Sequence, residues 1–148
     1  MPFRFKTPIQ WSAIAIIGLV AAACGESKVA QCNRLIDVAN TAVTEVQNVT
    51  TAANPSDPEA LNEIANTADN AVASMQDLEF SDEQLQAYQQ RFVQMYEETS
   101  TASRAIYTAV NEENNEAAQQ ALTDLQTATG QETALVSEVN AYCGGTQE

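Results

Sequence analysis

The chain has 148 residues, a formal net charge of -14 at pH 7 and no histidine. So large an excess of acidic side chains repels phosphate backbones, which argues against a nucleic-acid partner and against electrostatic docking on anionic lipid. Without histidine the chain lacks a Ser-His-Asp triad, a Cys-His pair, a His-based zinc site and the Glu-x-x-His motif of di-iron bundles. We therefore expect no enzyme activity, no metal and no other cofactor.

The first 23 residues have the pattern of a secretion signal rather than that of a folded element. Arg4 and Lys6 form a short basic start, residues 11–20 are mostly apolar, and three alanines at 21–23 precede Cys24. The apolar run is too short for a comfortable membrane span and fits the hydrophobic region of a signal peptide. Its removal leaves about 125 residues, the size of one domain. Because Arg4 and Lys6 leave with it, the net charge goes from -14 to -16.

Small residues directly before a cysteine resemble the lipobox of bacterial lipoprotein precursors. The resemblance covers residues 20–25, with Ala21 where leucine is commonest. It implies that Cys24 becomes the diacylated N-terminus of an exported protein, with residues 24–27 as a lipidated tether. The acyl chains would hold the protein on an outer membrane or on the periplasmic or extracytoplasmic face of a bacterial membrane. The alternative is an ordinary signal peptide or an uncleaved anchor.

If Cys24 is acylated, two cysteines remain, Cys32 and Cys143, one near each end of the mature chain. Disulfides persist in extracytoplasmic compartments, so we expect these two residues to pair. The alternative is two separate buried thiols that act as small apolar side chains. On the loop-entropy model, a disulfide that closes so long a loop disfavours the unfolded chain by about 4 to 5 kcal/mol.

Apolar and small residues at steps of three and four predict four helices in the mature chain. The predicted helices span residues 28–53, 58–77, 82–110 and 115–143, and residues 144–148 form a flexible tail. Short connections predict an all-α, antiparallel up-down-up-down four-helix bundle. In that topology the start of the first helix and the end of the fourth lie together, which is where Cys32 and Cys143 must meet.

The third helix has the longest apolar stripe, and its start has the pattern of a capping box from Ser81 to Gln84. Polar residues 111–116 predict the next turn, although a helix that continues through them is the alternative. The stripe consists of Leu85, Tyr88, Phe92, Met95, Thr99, Ala102, Ile106 and Ala109.

The fourth helix is interrupted by Gly130 and by Glu132, which stands where an apolar residue is expected. Glycine inside a helix costs about 1 kcal/mol relative to alanine, so a kink or poor packing is predicted there. A gap between helices would open where Thr99 and Ala102 oppose these two residues.

Two hypotheses for the function follow. Tyr96 and Tyr107 lie on one flank of the third helix, and Val110 extends the line. Such a strip suits a partner helix or peptide, although the tyrosines would equally seal a seam with a neighbouring helix. The first hypothesis is therefore a lipid-anchored, non-catalytic accessory or adaptor that binds a protein partner in a membrane-associated complex. The second is a sensing or carrier module that binds a small apolar molecule between the helices.

Overall fold

The computed structural model describes residues 26–52 and 58–144. This part of the chain folds into α1 (Lys28–Ala52), α2 (Glu59–Gln76), α3 (Glu83–Asn111), α4 (Asn115–Gly130) and α5 (Glu132–Gly144). Because α4 and α5 together occupy the fourth position, the predicted all-α four-helix bundle is confirmed. None of the described helices combines the length and the hydropathy that a membrane span requires. The predicted signal peptide, the predicted lipidation site Cys24 and residues 145–148 lie outside the described residues.

The centre of the bundle is α3, which packs against α2 on one side and α4 on the other. All eight residues of its predicted stripe are buried. The predicted turn after α3 is confirmed at residues 112–114, where Glu113 adopts a φ of 55°. The helix therefore does not continue through this segment.

The start of α3 differs from the predicted capping box by one residue. Asp82, not Ser81, is the N-cap, and its carboxylate accepts a hydrogen bond from the Leu85 N–H at 3.0 Å. Ser81 is engaged elsewhere, because its N–H donates to the side-chain oxygen of Gln31 at 2.8 Å. The sequence pattern did not show this competing partner on α1.

The predicted single helix over 115–143 is divided in two at Gln131. The Gln131 N–H donates to the carbonyl of Ala128, three residues earlier, at 3.3 Å, whereas an α-helix bonds residues four apart. The next helix, α5, then begins at Glu132. A side chain at Gly130 would meet nothing within 4 Å, so no close approach requires glycine there. We attribute the break to the low helix propensity of glycine.

One end of the bundle is tied together by covalent and polar links. The predicted pairing is confirmed, since Cys32 and Cys143 form a disulfide with a Cα–Cα distance of 5.9 Å. Gln31, which is 3% exposed, accepts hydrogen bonds from the backbone N–H groups of Ser81 and Asp82. The Tyr142 hydroxyl donates to the Asp82 carboxylate at 2.8 Å. These contacts join α1, α5 and the start of α3.

The seam between α1 and α4 is open. Within the described residues α1 packs against α2 and meets α5, but no Cα atom of α1 lies within 8 Å of one in α4. The bundle is therefore closed at the disulfide end and open along the side where its first and fourth helices would otherwise pack.

Candidate functional site

The open seam leads into a cavity of about 410 Å³ that all five helices line. Cavities of about 300 to 1,000 Å³ are the usual size for small-molecule sites. The side chains that line it include Ala42, Val43, Val46, Ile64, Ala68, Ala71, Met95, Tyr96, Thr99, Leu125 and Glu132.

The cavity wall is mainly apolar. Ala42, Ala68 and Ala71 are buried and supply its small side chains. Alanine fills little volume, so helices that separate leave space between them. Four larger apolar side chains of the wall are only half-buried, because no helix covers the seam: Val43, Val46, Ile64 and Leu125. A ligand that covers these four side chains would remove apolar surface from water, at about 25 cal/mol per Å².

Tyr96 lines this cavity and has a fully buried hydroxyl. Its ring stacks on Phe92 with the ring centroids 6.1 Å apart, and only 6% of the residue is exposed. Among the described residues its hydroxyl has no hydrogen-bond partner. Burial raises the pKa of Tyr96, and the negative charge of Glu132 raises it further, so the phenol stays protonated. A buried hydroxyl without a partner costs about 1 to 3 kcal/mol.

Glu132 is the second polar group of interest and belongs to the first turn of α5. Its side chain is half-buried, and burial raises the pKa of its carboxyl above the usual value. The adjacent Gln131 donates to the Glu98 carboxylate at 3.2 Å, which ties the α4–α5 break to α3. Tyr96 and Glu132 therefore come from different helices and interact electrostatically beside a mainly apolar cavity.

The predicted gap lies close to this position. Thr99 and Glu132 line the cavity, whereas Ala102 and Gly130 lie outside it. The Thr99 hydroxyl donates to the Met95 carbonyl at 2.8 Å, so its hydrogen-bonding needs are met within α3.

The three residues predicted as a partner surface do not form an exposed strip. Tyr96 is buried and lines the cavity, which fits the alternative that it seals a seam. Tyr107 is half-buried, and its hydroxyl donates to the Glu59 carboxylate of α2 at 2.7 Å. Val110 is 47% exposed. Only Val110 of the three thus presents a large exposed surface.

No cluster of three or more acidic or cysteine side chains in residues 26–52 and 58–144 is arranged to hold a metal ion. The Ser100 hydroxyl donates to the Asp69 carboxylate. Arg104 pairs with the same carboxylate and lowers the Asp69 pKa. This cluster joins α2 to α3 and is accounted for by packing.

We expect Tyr96→Phe to raise the free energy of unfolding of the ligand-free protein by up to about 1 kcal/mol. The change removes an unpaired hydroxyl and keeps the ring that stacks on Phe92. Urea denaturation of both proteins measures the difference. Tyr107→Phe is the matched control, because it removes a hydroxyl that has a partner and should be neutral or mildly destabilising. A clear loss of stability in Tyr96→Phe would mean that its hydroxyl is paired in the folded protein.

A four-helix bundle hosts many unrelated functions, so the architecture alone assigns none. The residues that distinguish this bundle are those of the open seam, above all Tyr96 and Glu132. The chain matches no protein-family model, and no similar protein is found among curated sequences or solved structures.

Proposed function

We propose that this protein is a non-catalytic binding protein that holds a small apolar molecule in the cavity between α1 and α4. The observation that carries the proposal is an apolar cavity of about 410 Å³ lined by a buried Tyr96 whose hydroxyl has no partner. An apolar wall with a few placed polar groups is the usual composition of a small-molecule site. In this proposal the protein is exported and held at a bacterial membrane by acyl chains on Cys24.

The cavity wall combines small buried side chains with larger half-buried apolar ones. This combination favours a binding function over a purely structural role. A bundle that needed only stability would bring α1 and α4 into contact and bury Val46 and Leu125 fully, since each buried methylene contributes about 0.8 kcal/mol. Instead both side chains remain half-buried at the cavity. The open seam leaves them available to a ligand.

An adaptor role in a membrane-associated complex has less support from the geometry. The tyrosine that would have anchored a partner, Tyr96, is buried, and Val110 alone is a small target. Single exposed apolar residues are common on soluble domains. We therefore keep the binding function as the proposal.

Binding of the fluorescent probe N-phenylnaphthylamine, whose emission rises in apolar surroundings, tests the proposal. Wild-type protein should enhance the emission in a saturable way, and octanol should displace the probe. Ala68→Leu should weaken probe binding by about tenfold or more, because it adds three heavy atoms at a cavity-lining position that is 2% exposed.

The matched control is Ala73→Leu, which adds the same atoms at an exposed position of α2 outside the cavity. It should leave probe affinity unchanged. Helical circular dichroism of both variants checks that they fold. Equal probe affinity in all three proteins, or no saturable binding by the wild type, would refute the proposed function.

A further inference from the structure

The ionisable groups around the cavity are unevenly distributed. Glu132 is the one carboxylate that lines it, and no lysine or arginine of the described residues does. All four described basic side chains are engaged elsewhere: Lys28 over the Tyr142 ring, Arg34 with Glu26, Arg91 with Glu138 and Arg104 with Asp69. A ligand in the cavity therefore lies beside a carboxylate and beside no cationic side chain.

This distribution disfavours an anionic ligand. A fatty acid or a phosphate ester would place its charge in a half-buried site next to Glu132 with no cation to pair with it. Burying an unpaired charge is strongly unfavourable, and a second like charge adds repulsion. The ligand that fits is neutral or cationic.

A cationic head group suits the Glu132 carboxylate. An ammonium group donates up to three hydrogen bonds, and a carboxylate accepts them. Hydrogen bonds between ionised partners are about twice as strong as those between neutral ones. Glu132 is half-buried rather than enclosed, so an ammonium paired with it keeps part of its hydration while the hydrocarbon enters the apolar part.

From this geometry we propose that the cavity recognises an apolar amine, with the ammonium paired to the Glu132 carboxylate and the hydrocarbon body against the apolar wall. The inference rests on the proposed binding function and names the chemical class of its ligand. A neutral alcohol is the competing class, because its hydroxyl can also donate to the Glu132 carboxylate but forms no ion pair.

Three probes with the same hydrocarbon chain separate these classes: octylammonium, octanol and octanoate. Their affinities are measured by calorimetry at about 0.15 M salt, where the Debye length of about 8 Å limits attraction to the acidic surface as a whole. Octylammonium should bind about tenfold more tightly than octanol, and octanoate most weakly.

Two glutamate variants locate the interaction. Glu132→Gln should weaken octylammonium by about tenfold and leave octanol within about twofold, since it removes the charge and keeps the shape. Unchanged octanol affinity also shows that this variant is folded. Glu63→Gln removes one exposed acidic charge from α2, away from the cavity, and should change neither affinity.

The outcomes distinguish the two proposals. If octanol binds as tightly as octylammonium, amine recognition is wrong and the binding function stands. If octylammonium is preferred but Glu132→Gln and Glu63→Gln have equal effects, the preference comes from net charge and amine recognition is again wrong. If none of the three probes binds, both proposals fail.

Discussion

Replacing Cys32 and Cys143 together by alanine should lower the free energy of unfolding by about 4 kcal/mol. The disulfide joins residues 111 apart in the chain, so its loss frees a long loop in the unfolded state. The effect is large for a domain whose total stability is expected to be about 5 to 15 kcal/mol. Urea denaturation measures it, with fluorescence and circular dichroism as independent probes of the transition.

The fold gives this disulfide a second role. Since α1 does not contact α4, the covalent link from α1 to α5 is a main connection between the first and fourth positions of the bundle. The wild-type protein in reducing buffer is the control and should lose stability by a similar amount. A change below about 1 kcal/mol in both experiments would mean that the disulfide adds little to the bundle.

Gln31→Ala should lower the free energy of unfolding by about 2 to 3 kcal/mol, the second largest effect that we expect. The Gln31 side chain accepts hydrogen bonds from the Ser81 N–H at 2.8 Å and the Asp82 N–H at 3.2 Å. Its amide nitrogen donates to the Ser81 hydroxyl and to the Glu26 carbonyl, both at 3.0 Å. Truncation removes all four bonds, two of which satisfy backbone N–H groups just before and at the N-cap of α3.

The matched control is Gln90→Ala, which removes the same side chain from an exposed position on α3. Alanine is a good helix former, so the control should be neutral or slightly stabilising. Thermal and urea unfolding of the two variants provide the comparison. Equal stability of Gln31→Ala and Gln90→Ala would mean that the Gln31 hydrogen bonds make no net contribution.

The bundle and its disulfide could be predicted because both depend on patterns along the chain. The stripe from Leu85 to Ala109 reports which face of α3 is apolar, and short turns fix its neighbours. Cys32 and Cys143 then fall at one end. Helix periodicity gives the apolar face of each helix in this way, but it does not tell whether another helix covers that face.

For this reason helix periodicity does not predict the open seam between α1 and α4. Val43 and Val46 have the spacing of core residues, as does Leu125, yet all three are half-buried because α1 and α4 separate. Only the interruption at Gly130 and Glu132 indicated that packing would be imperfect near the seam. It placed the predicted gap close to the cavity without giving its extent.

Hydrogen bonds between residues far apart in the chain also could not be predicted from the sequence. Gln31 is an ordinary polar residue in its helix pattern, and its partners Ser81 and Asp82 lie about fifty residues away. Tyr96 and Tyr107 share a flank of α3, but Tyr96 is buried at the cavity while Tyr107 reaches Glu59. The neighbours of α3 differ along its length, so equivalent positions on one helix have different surroundings.

Intermolecular nuclear Overhauser effects between bound octanol and the protein's methyl groups test whether a ligand binds in this cavity. Contacts are expected from the octanol chain to Val46 of α1, Met95 of α3 and Leu125 of α4, which line the cavity from three helices. Contacts confined to the exposed side chains Val29, Val110 and Leu122, with none to those three residues, would contradict the proposed site.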